Sequence, residues 1–137
     1  MEREKFAGIS ILVAREGKIA QLTHQGKMGF ERDEALDDEA IFRIYSMTKP
    51  ITSVAIMQLY ERGRLMLTDP ITKFLPAFKD VQVFDSGTAS DYTTRAPERM
   101  INLHDLLTHQ SGLTYDFLLE HPVDAIYRNN KINGARS

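Results

Sequence analysis

The sequence contains no cysteine, and it lacks both a strong excess of charge and a long hydrophobic run. The missing thiols exclude disulfide bonds, thiolate catalysis and cysteine-ligated zinc. A net charge of −2 gives no basic surface for nucleic acid. No apolar run approaches the roughly 18–20 residues that a membrane-spanning helix needs. The charged N-terminal stretch MEREKF does not resemble a secretory signal, so we expect a cytoplasmic protein unless processing has removed a signal.

What is present fits a globular domain, because 42% of the 137 residues are hydrophobic and 26% are charged. The stretch FAGISILVAREGKIAQLTH predicts a β-hairpin with a tight turn at Gly17, followed by a loop over residues 26–40. From Met47 to Arg62 the apolar residues recur with helical spacing around most of the helix, which predicts a buried helix. Gly63 is expected to end it.

Shorter elements are predicted in the second half of the chain. LTDPITKFLP predicts a short helix that starts near Thr68 or Asp69 and buries Ile71, Phe74 and Leu75. Residues 79–99 are expected to form a long surface loop. NLHDLLTHQSGL predicts a helix capped by Asn102 and Asp105 and ended by Gly112, and HPVDAIYRNN predicts the start of another.

These elements predict a mixed α/β fold whose sheet is incomplete. One hairpin does not form a stable sheet by itself, and the remaining segments are mostly helical. Either the hairpin packs on helices alone, or the strands that complete its sheet are missing from this chain.

The stretch RIYSMTKP places Ser46 three positions before Lys49 at the predicted helix start. Taken alone, this spacing arises easily by chance, and Ser46 or Thr48 could simply cap the helix with Pro50 in its first turn. The chemical alternative is a nucleophile and its base, because residues at i and i+3 of a helix are neighbours. A neutral lysine amine can take the serine proton, and burial and the positive helix N-terminus both favour the neutral amine.

Two longer stretches carry a resemblance to a known family. RIYSMTKPITSVAIMQLYERGRLMLTDPITKFLP and LHDLLTHQSGLTYDFL resemble the serine β-lactamase-like superfamily, in particular its class C-type esterases, the family VIII carboxylesterases. The resemblance covers roughly residues 6–128. It implies a serine β-lactamase-like fold, with Ser46 as the acylated nucleophile and Lys49 as its proton-transfer partner.

The same resemblance implies that part of the domain is absent. Family members are commonly longer, and they carry a catalytic tyrosine and a later oxyanion-binding strand downstream of the LLTHQSGL block. We therefore expect residues 1–137 to be the N-terminal part of a single domain whose C-terminal part is not in this chain. Tyr127 begins a literal Tyr-x-Asn match, but Val123, Ile126 and Tyr127 have the spacing of an apolar helix side. Tyr92 and Tyr115 are weaker candidates.

The histidines do not predict a metal site. His104 and His109 are five positions apart, which misaligns them on a helix, and no glutamate lies between them as in a zinc protease motif. We expect His109, Ser111 and Gly112 to hold a helix end and a loop near the rim of the active site. Ser111 lacks the surroundings of a nucleophile elbow.

The leading functional hypothesis is a serine hydrolase that forms an acyl-enzyme on small carboxylic esters, with β-lactams as a further possible substrate. It requires no metal or organic cofactor. A D-Ala-D-Ala peptidase is a third choice, and the residues of the substrate-binding site are not predicted. The alternative is a non-catalytic remnant that acts as a binding or assembly piece. Such a piece is expected to associate with itself or with a complementing C-terminal segment.

Overall fold

The computed structural model describes residues 5–132 and divides the chain into two units, Met1–Met47 and Thr48–Ser137. Within the described residues, each unit contains one two-stranded antiparallel sheet. The first unit consists of a hairpin and a loop, and the second of helices, 3₁₀ turns and a second hairpin.

The predicted N-terminal hairpin is confirmed, with strands β1 (Gly8–Arg15) and β2 (Lys18–Gly26). The two residues of the turn, Glu16 and Gly17, both have positive φ, 51° and 73°. Two-residue turns of this kind match the twist of paired strands. The predicted loop is confirmed as well, since residues 27–44 form only one isolated bridge, between Lys27 and Ala35.

The helix predicted from Met47 to Arg62 forms as α1 (Thr48–Glu61), directly after a 3₁₀ turn at Tyr45–Met47. Gly63 has a φ of 64° and ends the helix as expected. Its N–H donates to the Tyr60 carbonyl at 2.9 Å, and the Arg64 N–H donates to the Leu59 carbonyl at 2.9 Å. This pair of bonds is the Schellman motif.

The predicted burial of α1 is wrong for the part of the chain that the structure describes. No residue of α1 is buried, and Ile51 and Val54 are 62% and 60% exposed. The helix is apolar around most of its circumference, yet Ile51 and Val54 stay exposed in the described part of the chain. The periodicity identified the helix correctly, and burial depends on segments that local spacing does not specify.

Residues 79–99 do not form the predicted long loop. They contain a second hairpin, β3 (Val83–Gly87) and β4 (Tyr92–Arg95), with only four residues between the strands. Gly87 has a φ of 113°, and a side chain there would collide with the Asp91 carbonyl oxygen. The preceding LTDPITKFLP forms 3₁₀ turns, Ile71–Lys73 and Pro76–Asp80, rather than a helix.

Of the three apolar residues predicted to be buried in that segment, only Ile71 is. Phe74 and Leu75 are exposed. The turn that begins at Ile71 also has no side-chain cap, since Pro70 occupies the N-cap position, so Thr68 and Asp69 do not cap it. Asp69 instead accepts hydrogen bonds from the Met66 N–H and the Lys73 ammonium.

Two short capped helices complete the second unit, α2 (Leu103–Leu107) and α3 (Pro122–Asn129). The predicted cap of α2 is confirmed, because Asn102 and Asp105 exchange side-chain and backbone hydrogen bonds in a capping box. The predicted end at Gly112 is wrong, since α2 stops five residues earlier. His109, with a φ of 59°, occupies the position after the helix that glycine usually takes.

Two buried apolar residues of the second unit lie beside a bridge between segments that are distant in the sequence. Pro70 and Asn102 form an isolated antiparallel bridge, beside which the Ile71 N–H donates to the Ile101 carbonyl at 2.8 Å. Ile71 and Leu103 are buried next to this bridge. In residues 5–132 no helix is long and apolar enough to cross a membrane. A cytoplasmic location stays a prediction.

Candidate active site

Ser46 lies in the 3₁₀ turn that leads directly into α1. The Met47 N–H donates to the Ile44 carbonyl at 3.0 Å and closes the turn. Tyr45, the residue before the serine, has a φ of 45°. A residue with a side chain enters this left-handed region at a cost of roughly 1–2 kcal/mol. Backbone strain of this kind is concentrated at functional sites, so the strained turn favours a functional role for Ser46.

Lys49 is the second residue of α1, and its side chain lies against a loop of its own unit. Its Nζ is 6.0 Å from the centroid of the Tyr115 ring, at the outer limit of a cation–π contact. Tyr115 packs in turn on Phe117, with ring centroids 4.9 Å apart. Lys49 is exposed, so the described residues do not provide the burial that was expected to favour a neutral amine.

The loop that carries Tyr115 starts at the end of α2. The His109 N–H donates to the Leu106 carbonyl at 3.3 Å, and the Gln110 N–H donates to the Asp105 carbonyl at 2.7 Å. The Ser111 hydroxyl accepts from the Leu113 N–H at 3.4 Å. These contacts are structural, in the sense predicted for His109 and Ser111, and the loop reaches Lys49 through Tyr115.

Asp124 anchors the same loop to the start of α3. It is 1% exposed, and it accepts hydrogen bonds from the Thr114 hydroxyl at 2.8 Å and from two backbone N–H groups at the helix start. The Thr114 hydroxyl, followed by those N–H groups, lowers the pKa of Asp124 below its ordinary value. Because Thr114 precedes Tyr115, this carboxylate fixes the backbone next to the ring that contacts Lys49.

A cleft among the described residues of the second unit is not lined by the predicted catalytic pair. It has a volume of about 580 Å³ and lies among β3, β4, α2 and α3. Tyr92, Ser111 and Tyr127 line it, whereas Ser46, Lys49 and Tyr115 do not. The apolar side predicted for α3 faces this cleft, since Val123, Ile126 and Tyr127 all line it.

One wall of the cleft is held by an ion pair. The Arg99 guanidinium donates to both carboxylate oxygens of Asp105, at 2.5 and 2.8 Å. This contact, together with the hydrogen bond from the Asn102 N–H, holds the pKa of Asp105 well below its usual range. Asp105 therefore serves both as the cap of α2 and as the partner of Arg99, and both functions require the ionised carboxylate.

The remaining histidines have structural contacts. The His24 ring lies 3.0 Å from the Ser10 hydroxyl across the first hairpin, and the His121 ring caps α3 by accepting from the Val123 N–H at 3.2 Å. Among residues 5–132, no group of three or more His, Asp or Glu side chains is arranged to hold a metal ion. That the reaction needs no metal or organic cofactor stays a prediction.

Tyr115, a weak candidate from the sequence, lies beside Lys49. The signal in the sequence is its position four residues after Ser111, just after the LLTHQSGL block. Ser46 belongs to the first unit and Lys49 to the second. Their catalytic roles stay predictions.

Comparisons with known proteins identify relatives over nearly the whole chain. The Beta-lactamase family model matches residues 1–135. Esterase EstB of Burkholderia gladioli is 34% identical over 120 residues, which are 88% of this chain and 28% of EstB. Acyltransferase calJ of Penicillium decumbens is 37% identical over 82 residues, which are 60% of this chain and 20% of calJ.

A solved structure of simvastatin synthase LovD from Aspergillus terreus has a similar fold. It matches with a TM-score of 0.67 and 25% identity, over 94% of this chain and 33% of LovD. The predicted serine β-lactamase-like fold, in incomplete form, is thereby confirmed. The chain spans about a third or less of the length of these relatives.

Proposed function

Because the chain belongs to the beta-lactamase family, we propose that it carries the nucleophile region of a serine hydrolase that forms an acyl-enzyme on Ser46. The observation that carries the proposal is the position of Ser46, in a strained turn at the head of α1 with Lys49 in the first turn of that helix. Small carboxylic esters are the proposed substrates. The names of two relatives, an esterase and an acyltransferase, favour this class over β-lactams.

In the proposed reaction, the Ser46 hydroxyl oxygen attacks the ester carbonyl while the Lys49 amine accepts the hydroxyl proton. The resulting oxyanion is stabilised in part by the Ser46 backbone N–H at the helix start. Collapse of this intermediate breaks the ester C–O bond, and the alcohol leaves with a proton. Water then attacks the acyl-serine, releases the acid and restores the serine.

We assign the third catalytic group to none of the described tyrosines. Tyr92 and Tyr127 line the 580 Å³ cleft, which Lys49 does not line, and Tyr115 approaches the Lys49 Nζ with its ring rather than its hydroxyl. We propose that a tyrosine outside these residues completes the site. The isolated chain is then expected to be acylated far more slowly than a complete family member.

The test is labelling with a fluorophosphonate probe, combined with turnover of p-nitrophenyl butyrate. We expect Ser46→Ala to abolish labelling and Ser53→Ala, a matched change on α1, to leave it intact. A Ser46→Ala protein that is labelled, or that hydrolyses the ester, as fast as the parent would contradict the assignment of Ser46 as the nucleophile. A fluorescent penicillin in the same experiment separates esters from β-lactams and from a D-Ala-D-Ala peptidase specificity.

A second candidate function is a non-catalytic binding or assembly piece. The exposure of Ile51 and Val54 on α1 favours it, because a surface of this kind is typical of a contact with another polypeptide. A parent protein that neither labels nor turns over ester, yet binds another polypeptide through α1, would support this function instead.

A further inference from the structure

The loop that carries Tyr115 is held by α3 on both sides of that residue. On one side, the Thr114 hydroxyl donates to the Asp124 carboxylate at 2.8 Å. On the other side, the Asp116 carbonyl accepts a hydrogen bond from Nη1 of Arg128, which lies in the last turn of α3. The residues immediately before and after Tyr115 are therefore both tied to the same helix.

The two residues of α3 that hold the loop lie on one side of the helix, because Asp124 and Arg128 are four positions apart. Asp124 supplies a charged acceptor and Arg128 a charged donor, and hydrogen bonds with one charged partner are stronger than neutral ones. One face of α3 thus fixes the loop backbone at two points that are two residues apart.

The loop conformation depends on these ties, because it leaves one polar atom unsatisfied. In the part of the chain that the structure describes, Oδ1 of Asp116 is buried without a hydrogen-bond partner. Burial of an unpartnered polar atom disfavours the conformation that buries it. The bond from Arg128 to the carbonyl of the same residue opposes this cost, so its loss should allow the loop to rearrange.

The tied segment determines where the Tyr115 ring lies. The ring centroid is 6.0 Å from the Lys49 Nζ, and the ring packs on Phe117 with the two centroids 4.9 Å apart. Since 6.0 Å is the outer limit of a cation–π contact, a small outward movement of the loop removes the contact with Lys49. Arg128 therefore acts on Lys49 through Tyr115.

We propose that Arg128 is a positioning residue for the candidate active site. Its guanidinium holds the Asp116 carbonyl, and the loop held in this way keeps the Tyr115 ring against the Lys49 side chain. The catalytic consequence rests on the proposed function, because Lys49 is the proposed acceptor of the Ser46 hydroxyl proton. An amine that is held in place accepts this proton faster than one that moves freely.

The test is the NMR chemical shift of the Lys49 ε-CH₂ protons in the 137-residue chain, because an aromatic ring shifts protons over its face upfield. The Lys49→Arg spectrum identifies the signal, and Tyr115→Leu gives its position without the ring. We expect Arg128→Ala to move the signal to the Tyr115→Leu position. Arg128→Lys should keep the parent position, because it retains a charged donor for the one carbonyl that Arg128 binds.

Asn129→Ala is the matched control, since Asn129 is the next exposed residue of α3 and its replacement should leave the signal at the parent position. Arg128 is exposed and alanine favours helix, so Arg128→Ala should fold, and circular dichroism verifies the helix content of each variant. An Arg128→Ala signal at the parent position overturns the proposal, as does a parent signal that Tyr115→Leu leaves unchanged. Failure of Arg128→Lys to restore the signal overturns the hydrogen bond as its cause.

Fluorophosphonate labelling of the same proteins measures the consequence for reactivity. Arg128→Ala should be labelled on the order of tenfold more slowly than the parent, and Arg128→Lys at close to the parent rate. Equal labelling of the parent and Arg128→Ala overturns the positioning role. A parent chain that shows the Tyr115-dependent shift and is not labelled contradicts only the proposed hydrolase, and the NMR result then decides whether Arg128 places the ring.

Discussion

Replacing His109 with glycine is expected to stabilise the protein, because His109 holds a left-handed conformation at the end of α2. Its φ is 59°, and the two hydrogen bonds that follow the helix, to the Leu106 and Asp105 carbonyls, require that conformation. Glycine adopts it without a clash between the side chain and the backbone. The His109 imidazole is exposed, so its removal does not leave a cavity in a core.

The size of the effect follows from two opposing terms. The left-handed conformation costs a residue with a side chain roughly 1–2 kcal/mol. Glycine loses about 0.5–1 kcal/mol more than other residues through the greater entropy of the unfolded chain. The free energy of unfolding should therefore rise by about 0.5–1 kcal/mol, which corresponds to an increase in Tm of about 2–4 °C for a domain of this size.

The assay is thermal and urea unfolding followed by circular dichroism, with His104→Gly as the matched control. His104 lies inside α2, where glycine is expected to lower the free energy of unfolding by about 1 kcal/mol. The same substitution is thus expected to raise the free energy of unfolding at His109 and to lower it at His104, five positions earlier. If His109→Gly lowers Tm as His104→Gly does, the assignment of His109 to the helix end is wrong.

Three further outcomes are expected. Hydrogen bonds lower the pKa of Asp124 and of Asp105 below the ordinary 3.8. The stability that these two carboxylates contribute is therefore complete above pH 3.8 and is lost as the pH falls through their pKa values in the folded protein. Acid titration followed by circular dichroism checks this, and equal stability at low and neutral pH contradicts it. Tyr115→Leu should lower the free energy of unfolding by about 0.5 kcal/mol through loss of the ring–ammonium contact, while Tyr115→Phe keeps it, as urea unfolding would reveal. Tyr127→Phe should leave the rate of fluorophosphonate labelling unchanged, and a drop of about 100-fold would instead assign Tyr127 a proton-transfer role.

Elements that depend on a few neighbouring residues could be predicted from the sequence. The turn at Gly17, the helix end at Gly63 and the Asn102–Asp105 capping box all formed as expected, since each is determined by backbone sterics or by hydrogen bonds within one turn. The β3–β4 hairpin also has a signal in the sequence. Val83 and Phe84 precede, and Tyr92 and Thr93 follow, a short polar stretch that includes Gly87, and this pattern is typical of a hairpin rather than of a long loop.

Features that depend on distant segments were not predictable in this way. The exposure of α1 is decided by what packs on it, and helical periodicity describes the helix without naming its neighbours. The contact between Lys49 and Tyr115 joins residues 66 positions apart, through a loop held by Asp124. The left-handed conformation of His109 likewise reflects the way the chain leaves α2, which composition alone does not indicate.

Mapping the fluorophosphonate adduct by tandem mass spectrometry, on the parent chain and on Ser46→Ala, tests the assignment of the nucleophile directly. We expect a single adduct on Ser46 of the parent and none on Ser46→Ala. An adduct on another serine, or equal labelling of the two proteins, would show that Ser46 is not the nucleophile.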